Sequence, residues 1–298
     1  MTVKDGKDGV ASAVAAFLMW GVLPIFWTHL HFLKAGTIIA QRTLWSLVLL
    51  LAVLAWQKKA GKLVKGLASW RGAGWHLLSG GLLASNWLLY VWATLHKHII
   101  EAALGYYLNP FLNMLFGALF FGERQSRPQM LAVLVAAAGV AIQFKAVGGV
   151  PWIALVLALT FALYGVVRKR APLDALSGLA AETVLLAPLA LGWLVWRGTQ
   201  GEAVFGNGAH EAALVIFTGV TTALPLLCFG HAARTISLTT LGILQFMAPT
   251  LQFFVGWKLY GEPMNEARLF SFALIWTAVA IYAADAILRG RRSAKAAP

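Results

Sequence analysis

The chain has 298 residues, 60% hydrophobic and only 12% charged, with a mean hydropathy of +0.74 and a formal net charge of +13. Soluble domains are about 45–50% apolar and about 25% charged, so this chain lacks the polar surface to cover itself in water, which excludes an ordinary soluble enzyme, a disordered protein and a secreted disulfide scaffold. The single cysteine, Cys228, excludes an internal disulfide and a cysteine-based metal cluster, and basic residues grouped in short bursts between apolar runs exclude a continuous nucleic-acid-binding face.

A helix needs about 20 mostly apolar residues to cross about 30 Å of hydrocarbon. Ten segments meet this: 10–30, 35–56, 75–95, 100–121, 129–147, 151–167, 176–196, 212–232, 238–259 and 269–288. The first carries Trp20, Pro24 and Trp27 where a cleaved signal would need small residues, and it reads as a permanent helix. The second carries Arg42, with Thr37 and Gln41 just before it. An arginine inside a membrane costs about 2.5–3.5 kcal/mol on insertion scales. Arg42 therefore either faces the bundle interior and holds an anionic partner, or snorkels to the outer interface.

The third span places Asn86 and Tyr90 one turn apart beside Ser85 and Trp87, a pairing of amide and aromatic that suits a ligand part ring and part polar group. His96 and His98 follow in a loop without the carboxylates of a metal site, and Glu101 reads as part of a surface salt bridge. In the fourth span Tyr106, Asn109 and Asn113 share one helical face; in the ninth, Gln245 and Gln252 are seven apart. Pro110 and Pro249 interrupt these two spans and free the carbonyls of Tyr106 and Gln245. In a bilayer such groups need partners, so both faces are candidate cavity linings and both prolines candidate hinges; the alternative is that the amides join helices. Tyr164 in the sixth span stands where Trp20 stands in the first, and Glu182 in the seventh is the approximate counterpart of Arg42. Opposite crossing directions separate Arg42 and Glu182 by roughly 10–15 Å along the membrane normal, which points to two sites. Glu182 then takes up a proton from the cytoplasmic side or hydrogen-bonds neighbouring helices. Trp27, Trp45, Trp56, Trp193 and Trp196 read as interfacial belts, and Asp285 with Arg289 as an i,i+4 pair.

With both termini in the cytoplasm, 17 of the 24 Lys and Arg fall on the inner side and six on the outer, with Arg42 inside a span. That bias orients the chain and supports an even number of crossings.

A repeated pattern organises these spans. LGYYLNPFLNMLFGALFFGE (104–123) and LGILQFMAPTLQFFVGWKLYGE (241–262) share Leu-Gly, Pro, Gly and Gly-Glu; Pro110, Gly117, Gly122 and Glu123 match Pro249, Gly256, Gly261 and Glu262 at an offset of 139, and the first copy has two fewer residues before its proline. Glu123 and Glu262 follow a helix-stopping glycine and read as structural caps. Matching the fourth span to the ninth gives two halves of five spans, 1–147 and 148–298. Five is odd, so the halves are inverted copies, the arrangement of secondary transporters with a site near the midplane.

The block SNWLLYVWATLHKHIIEAALGYYLNPFLNMLFGALFFGER (85–124), together with LGILQFMAPTLQFFVGWKLYGEP (241–263), resembles the RarD branch of the EamA family of drug/metabolite transporters, over essentially the whole chain. The resemblance implies an all-α polytopic membrane protein of ten helices in two EamA repeats, moving small metabolites or drugs by alternating access; RarD proteins are linked by name to chloramphenicol.

The expectation is a multi-pass inner-membrane transporter, in the direction of export, for small amphipathic metabolites or drugs. No cofactor, resident metal or nucleic acid is called for; the partners are a small-molecule substrate, the lipid bilayer and a coupling proton. Open beside it stand an uncoupled facilitator of amino-acid-like metabolites, an intramembrane enzyme and a membrane scaffold. An enzyme gathers catalytic groups at one depth, which the separated Arg42 and Glu182 disfavour, and nucleotide-binding or hydrolase motifs are missing from the sequence.

Overall fold

A computed structural model describes residues 7–122, 125–147, 149–236, 241 and 244–296, and all regular structure among them is helical. In chain order the helices are α1 (Lys7–Thr28), α2 (Ala35–Trp56), α3 (Ala60–Ala68), α4 (Trp70–Leu95), α5 (Ile99–Phe121), α6 (Arg127–Val147), α7 (Trp152–Arg170), α8 (Ala175–Thr199), α9 (Ala209–Thr235), α10 (Met247–Phe254), which passes into a π-helical turn (Val255–Leu259), and α11 (Glu266–Ala296). Long apolar helices answer the bilayer's demand that every backbone group be bonded within its own segment.

Seven of these helices are long and apolar enough to cross a membrane: α1, α2, α5, α7, α8, α9 and α11. The apolar stretch of α6 is shorter, residues 127–142. Helix α10 has eight residues, and α4 has length but dilutes its hydropathy with His76, Ser79, Ser85 and Asn86. Val48, Leu119, Leu134, Leu189 and Val195 are exposed, the outward apolar surface of a chain solvated by lipid.

Helix ends follow local chemistry. Asp174 caps α8 by accepting the Ser177 N–H at 3.0 Å. Burial alone would raise its carboxyl, but the Ser177 amide and hydroxyl, with Lys59 and Lys62 nearby, hold it below the ordinary range. Gly122 closes α5 at φ +66°, and Gly261, 139 residues later, adopts φ +65°, a left-handed conformation that favours glycine. Pro249 does not interrupt a continuous helix. Gln245 and Phe246 form a turn, and the proline falls in the first turn of α10, where its missing N–H breaks no helical bond. Pro110 does lie inside α5. Helix starts also recur: α2 and α8, α4 and α9, and α6 and α11 begin 140, 139 and 139 residues apart.

The chain forms two compact units. The first comprises Met1–Val22, Lys97–Ala162 and His231–Pro298; the second comprises Leu23–His96 and Leu163–Gly230. In the first, α6 packs along α11 and α5 along α10. Its core is aromatic: Phe253 lies 4.5 Å from Phe272 between ring centroids, and the buried Tyr107 hydroxyl accepts from Trp276 Nε1 at 2.9 Å and pairs with Thr250 Oγ1 at 2.6 Å. In the second, α2 packs along α8, and α4 packs on both. Trp193 Nε1, late in α8, donates to Thr37 Oγ1, early in α2, at 3.4 Å, so these two helices run antiparallel. The 57–74 connection contains α3, which turns Leu63 inward and leaves Lys62, Val64 and Lys65 exposed.

Candidate functional site

The second unit buries two opposite charges. Arg42 and Glu182 are each the eighth residue of their helix, α2 and α8, which sharpens the approximate correspondence expected from the sequence. Because α2 and α8 are antiparallel, equal positions fall at different levels. The contact between Thr37 and Trp193 puts five or six residues of α8 between the level of Arg42 and Glu182, about 8–9 Å at 1.5 Å per residue.

Arg42 is 4% exposed. Its guanidinium lies 3.7 Å from the centroid of the Trp87 ring on α4 and 5.4 Å from that of Trp27 on α1, while Nε donates to Thr222 Oγ1 on α9 at 2.6 Å. Aromatic faces attract a cation through their quadrupole and are worth about 2 kcal/mol or more when desolvated. Asn86 and Tyr90 are buried on α4, flanking Trp87 in the sequence. Trp27, expected in an interfacial belt, is fully buried instead; the cation beneath it supplies a reason that an aromatic count could not. Gln41, next to Arg42, donates to the Val204 carbonyl at 2.6 Å and accepts from Trp45 Nε1 at 3.2 Å.

Glu182 is 1% exposed and its oxygens are held from two helices. Ser79 on α4 donates to Oε1 at 2.6 Å, Arg168 Nε on α7 lies 3.4 Å from the same oxygen, and the Tyr164 hydroxyl donates to Oε2 at 3.4 Å. Tyr164 and Glu182, expected separately, thus meet. Arg168, one of the 17 cations counted on the inner side, instead turns into the protein. No local signal distinguished it from Lys169 and Arg170. His76 and Ser79 were also missed, although the face that carries Tyr90 and Asn86 continues back through Leu83 to Ser79 and His76 at spacings of four and three, all buried.

The remaining candidates lie in the first unit. Gln252 is buried and donates to the Trp20 carbonyl at 3.0 Å. Asn109 is buried, Tyr106 and Gln245 half-buried, and Asn113 exposed. Glu262 does not cap the helix that follows it: its carboxylate accepts the Ile99 N–H and the Ile100 N–H, the latter at 3.0 Å, and so caps α5. Burial pushes its carboxyl above the ordinary range, against the pull of these two donors and of Arg268. Glu101, expected at the surface, is buried and accepts the Ile153 N–H at 3.1 Å at the start of α7. Helix N-termini favour both carboxylates. Asp285 pairs with Arg289 at 3.0 Å and accepts from Ser126 at 2.9 Å. Glu123 and Gly242 lie outside the described residues. Among the described residues, His, Cys, Asp and Glu form no group able to hold a metal ion.

Comparison with known proteins adds a family. The EamA-like transporter family matches residues 7–144. An uncharacterized transporter of Pseudomonas aeruginosa is 41% identical over 301 residues, covering 96% of both chains. Protein RarD of Escherichia coli K12 is 36% identical over 296 residues, covering 99% of this chain and all of its own. A solved crystal structure, 20% identical, superposes with a TM-score of 0.61 over 92% of this chain and 96% of its own, which shows a shared fold.

Proposed function

We propose a transport mechanism from one premise: the chain belongs to the EamA-like transporter family, among relatives named RarD. It is a multi-span membrane protein of a bacterial transporter family. Beyond that, the reading is a secondary-active exporter in the inner membrane, both termini cytoplasmic, that crosses the bilayer ten times as two inverted repeats, 1–147 and 148–298. The recurring helix starts, the matched left-handed Gly122 and Gly261, and the antiparallel packing of α2 on α8 support the repeat. Alternating access about a midplane cavity follows from such a repeat, with Pro110 inside α5 and the turn just before Pro249 as hinges.

The observation that carries the reading is Arg42: a buried cation lying against Trp87, with Trp27 nearby, on a membrane helix. A small amphipathic ligand bearing a ring and an anionic group matches that surface. Its anionic group pairs with the guanidinium, and its ring takes the place beside Trp87, Asn86 and Tyr90. Glu182 serves as the proton site of coupling. The pairing of Glu182 with Arg168, Ser79 and Tyr164 also favours a second reading, in which this carboxylate is structural and the protein is an uncoupled facilitator.

A ligand-stabilisation screen on purified protein, followed by flux in proteoliposomes with and without a proton gradient, separates the readings. Coupled transport gives flux that follows the gradient and loses that dependence in Glu182→Gln. A facilitator gives the same flux under both conditions. A protein that moves none of the ligands that stabilise it sinks both.

A further inference from the structure

His76 differs from every other histidine of the chain. His29, His31, His96, His98, His210 and His231 are exposed, whereas His76 is fully buried on α4. Among the described residues neither of its ring nitrogens has a hydrogen-bond partner. A buried polar group without a partner costs about 1–3 kcal/mol, and a neutral imidazole has both a donor and an acceptor to satisfy.

Its neighbours supply a reason to keep it. Ser79, three residues on, donates to Glu182 Oε1 at 2.6 Å and lies 3.2 Å from the His76 carbonyl. Arg168 acts on His76 electrostatically. The Arg168 guanidinium runs over Gly178, one turn before Glu182 on α8, and fills the space that any side chain there would need. It is held at both ends: Nε lies 3.4 Å from Glu182, and Nη2 donates to the Asp174 carbonyl at 3.1 Å, beside the exposed start of α8. Arg168 therefore already touches a position to which it can retreat.

We propose that His76 is a second proton site, which replaces Arg168 as the cation beside Glu182. One proton from water binds an imidazole nitrogen and no heavy-atom bond changes. Two buried cations against one carboxylate are unfavourable, so Arg168 withdraws along α8 toward Asp174 and solvent while the imidazolium takes up Glu182. The buried cluster is neutral before and after the exchange. The other charged or titratable groups on the surrounding elements are Tyr164 on α7, already bonded to Glu182, with the exposed Lys169 and Arg170 beyond it; exposed Lys62 and Lys65 on α3; Arg71 and the buried Tyr90 on α4 itself; Arg42 on α2; and Arg197 at the far end of α8. The proposal deepens the coupled reading above and rests on it for its role in transport, but not for its test.

The test is NMR of the full chain in nanodiscs with ring-15N histidine, from pH 5 to 8, for the wild type, His76→Gln and Arg168→Gln. One histidine, missing from His76→Gln, converts from neutral ring to imidazolium in this range, and in Arg168→Gln it stays imidazolium to a pH higher by about one unit. If His76→Gln does not fold, the same resonance is identified in the wild type as the one untouched by a water-soluble paramagnetic agent, since the other six are exposed. A His76 ring that stays neutral throughout, or whose midpoint ignores Arg168, overturns the proposal. No substrate is needed, so a failed flux assay leaves this result standing. Proton-driven flux beside a His76 that does not titrate refutes this inference alone.

Discussion

The two units bury polar groups in different ways. In the first, two of the buried carboxylates serve helix starts, Glu262 at α5 and Glu101 at α7; the third, Asp285 within α11, pairs with Arg289 one turn on and with Ser126, and the core positions are filled by Tyr107, Phe253 and Phe272. In the second, charge is buried within helices, at Arg42 and Glu182, each fixed by side chains from two or three other helices. A carboxylate at a helix N-terminus satisfies donors that would otherwise be orphaned. A charge on a helix face has no such local reason, and its cost points to function. On the proposed reading, the second unit is where ligand and proton act and the first supports it.

The sharpest way to break this contrast is Arg42→Ala. Removing one member of a buried charged contact costs about 2–5 kcal/mol, so flux in proteoliposomes should fall by about 30-fold or more while size-exclusion chromatography shows folded protein; full activity would remove Arg42 from the mechanism. Glu182→Ala leaves the Arg168 guanidinium without its carboxylate and should destabilise by about 3–5 kcal/mol, with part of the loss recovered in the double variant with Arg168→Ala. Costs of the two single variants that simply add in the double variant, measured by thermal unfolding in detergent, would mean the pair is not coupled. Phe253→Ala in the first unit should cost about 3–4 kcal/mol as a core cavity yet leave ligand affinity of the surviving folded protein unchanged; lost affinity would erase the division of labour. Least is expected from Asp174→Ala, about 1 kcal/mol for an N-cap. The folded carboxyl is held below its ordinary 3.8, so its stabilisation is complete above that value and lost as pH falls through the lower folded one. A wild-type advantage that does not change as the pH is lowered would refute the cap's ionic character.

Much of this was legible in the sequence because it depends on composition and spacing. Long apolar runs announced membrane helices, and the offset between Pro110 and Pro249 announced the pattern that Gly122 and Gly261 share in conformation. Arg42 and Glu182 were visible as charges out of place. Their partners were not. Arg168 reads like its neighbours Lys169 and Arg170, and its inward turn depends on Gly178 of another helix leaving room. Trp27 reads like any interfacial tryptophan until Arg42 is found beneath it. Pro249 reads as a mid-helix kink until the turn at Gln245 and Phe246 moves the helix start.

The sequence by itself determined the solvent, the helical class and which residues carry costly charge, because hydrophobicity and burial cost are properties of single side chains and short windows. Only the tertiary structure decided who meets whom. Pairings such as Glu182 with Arg168 and Ser79, Arg42 with Trp87 and Thr222, or Glu262 with the start of α5 join residues up to 180 positions apart, and such meetings are set by helix packing, which no local pattern encodes.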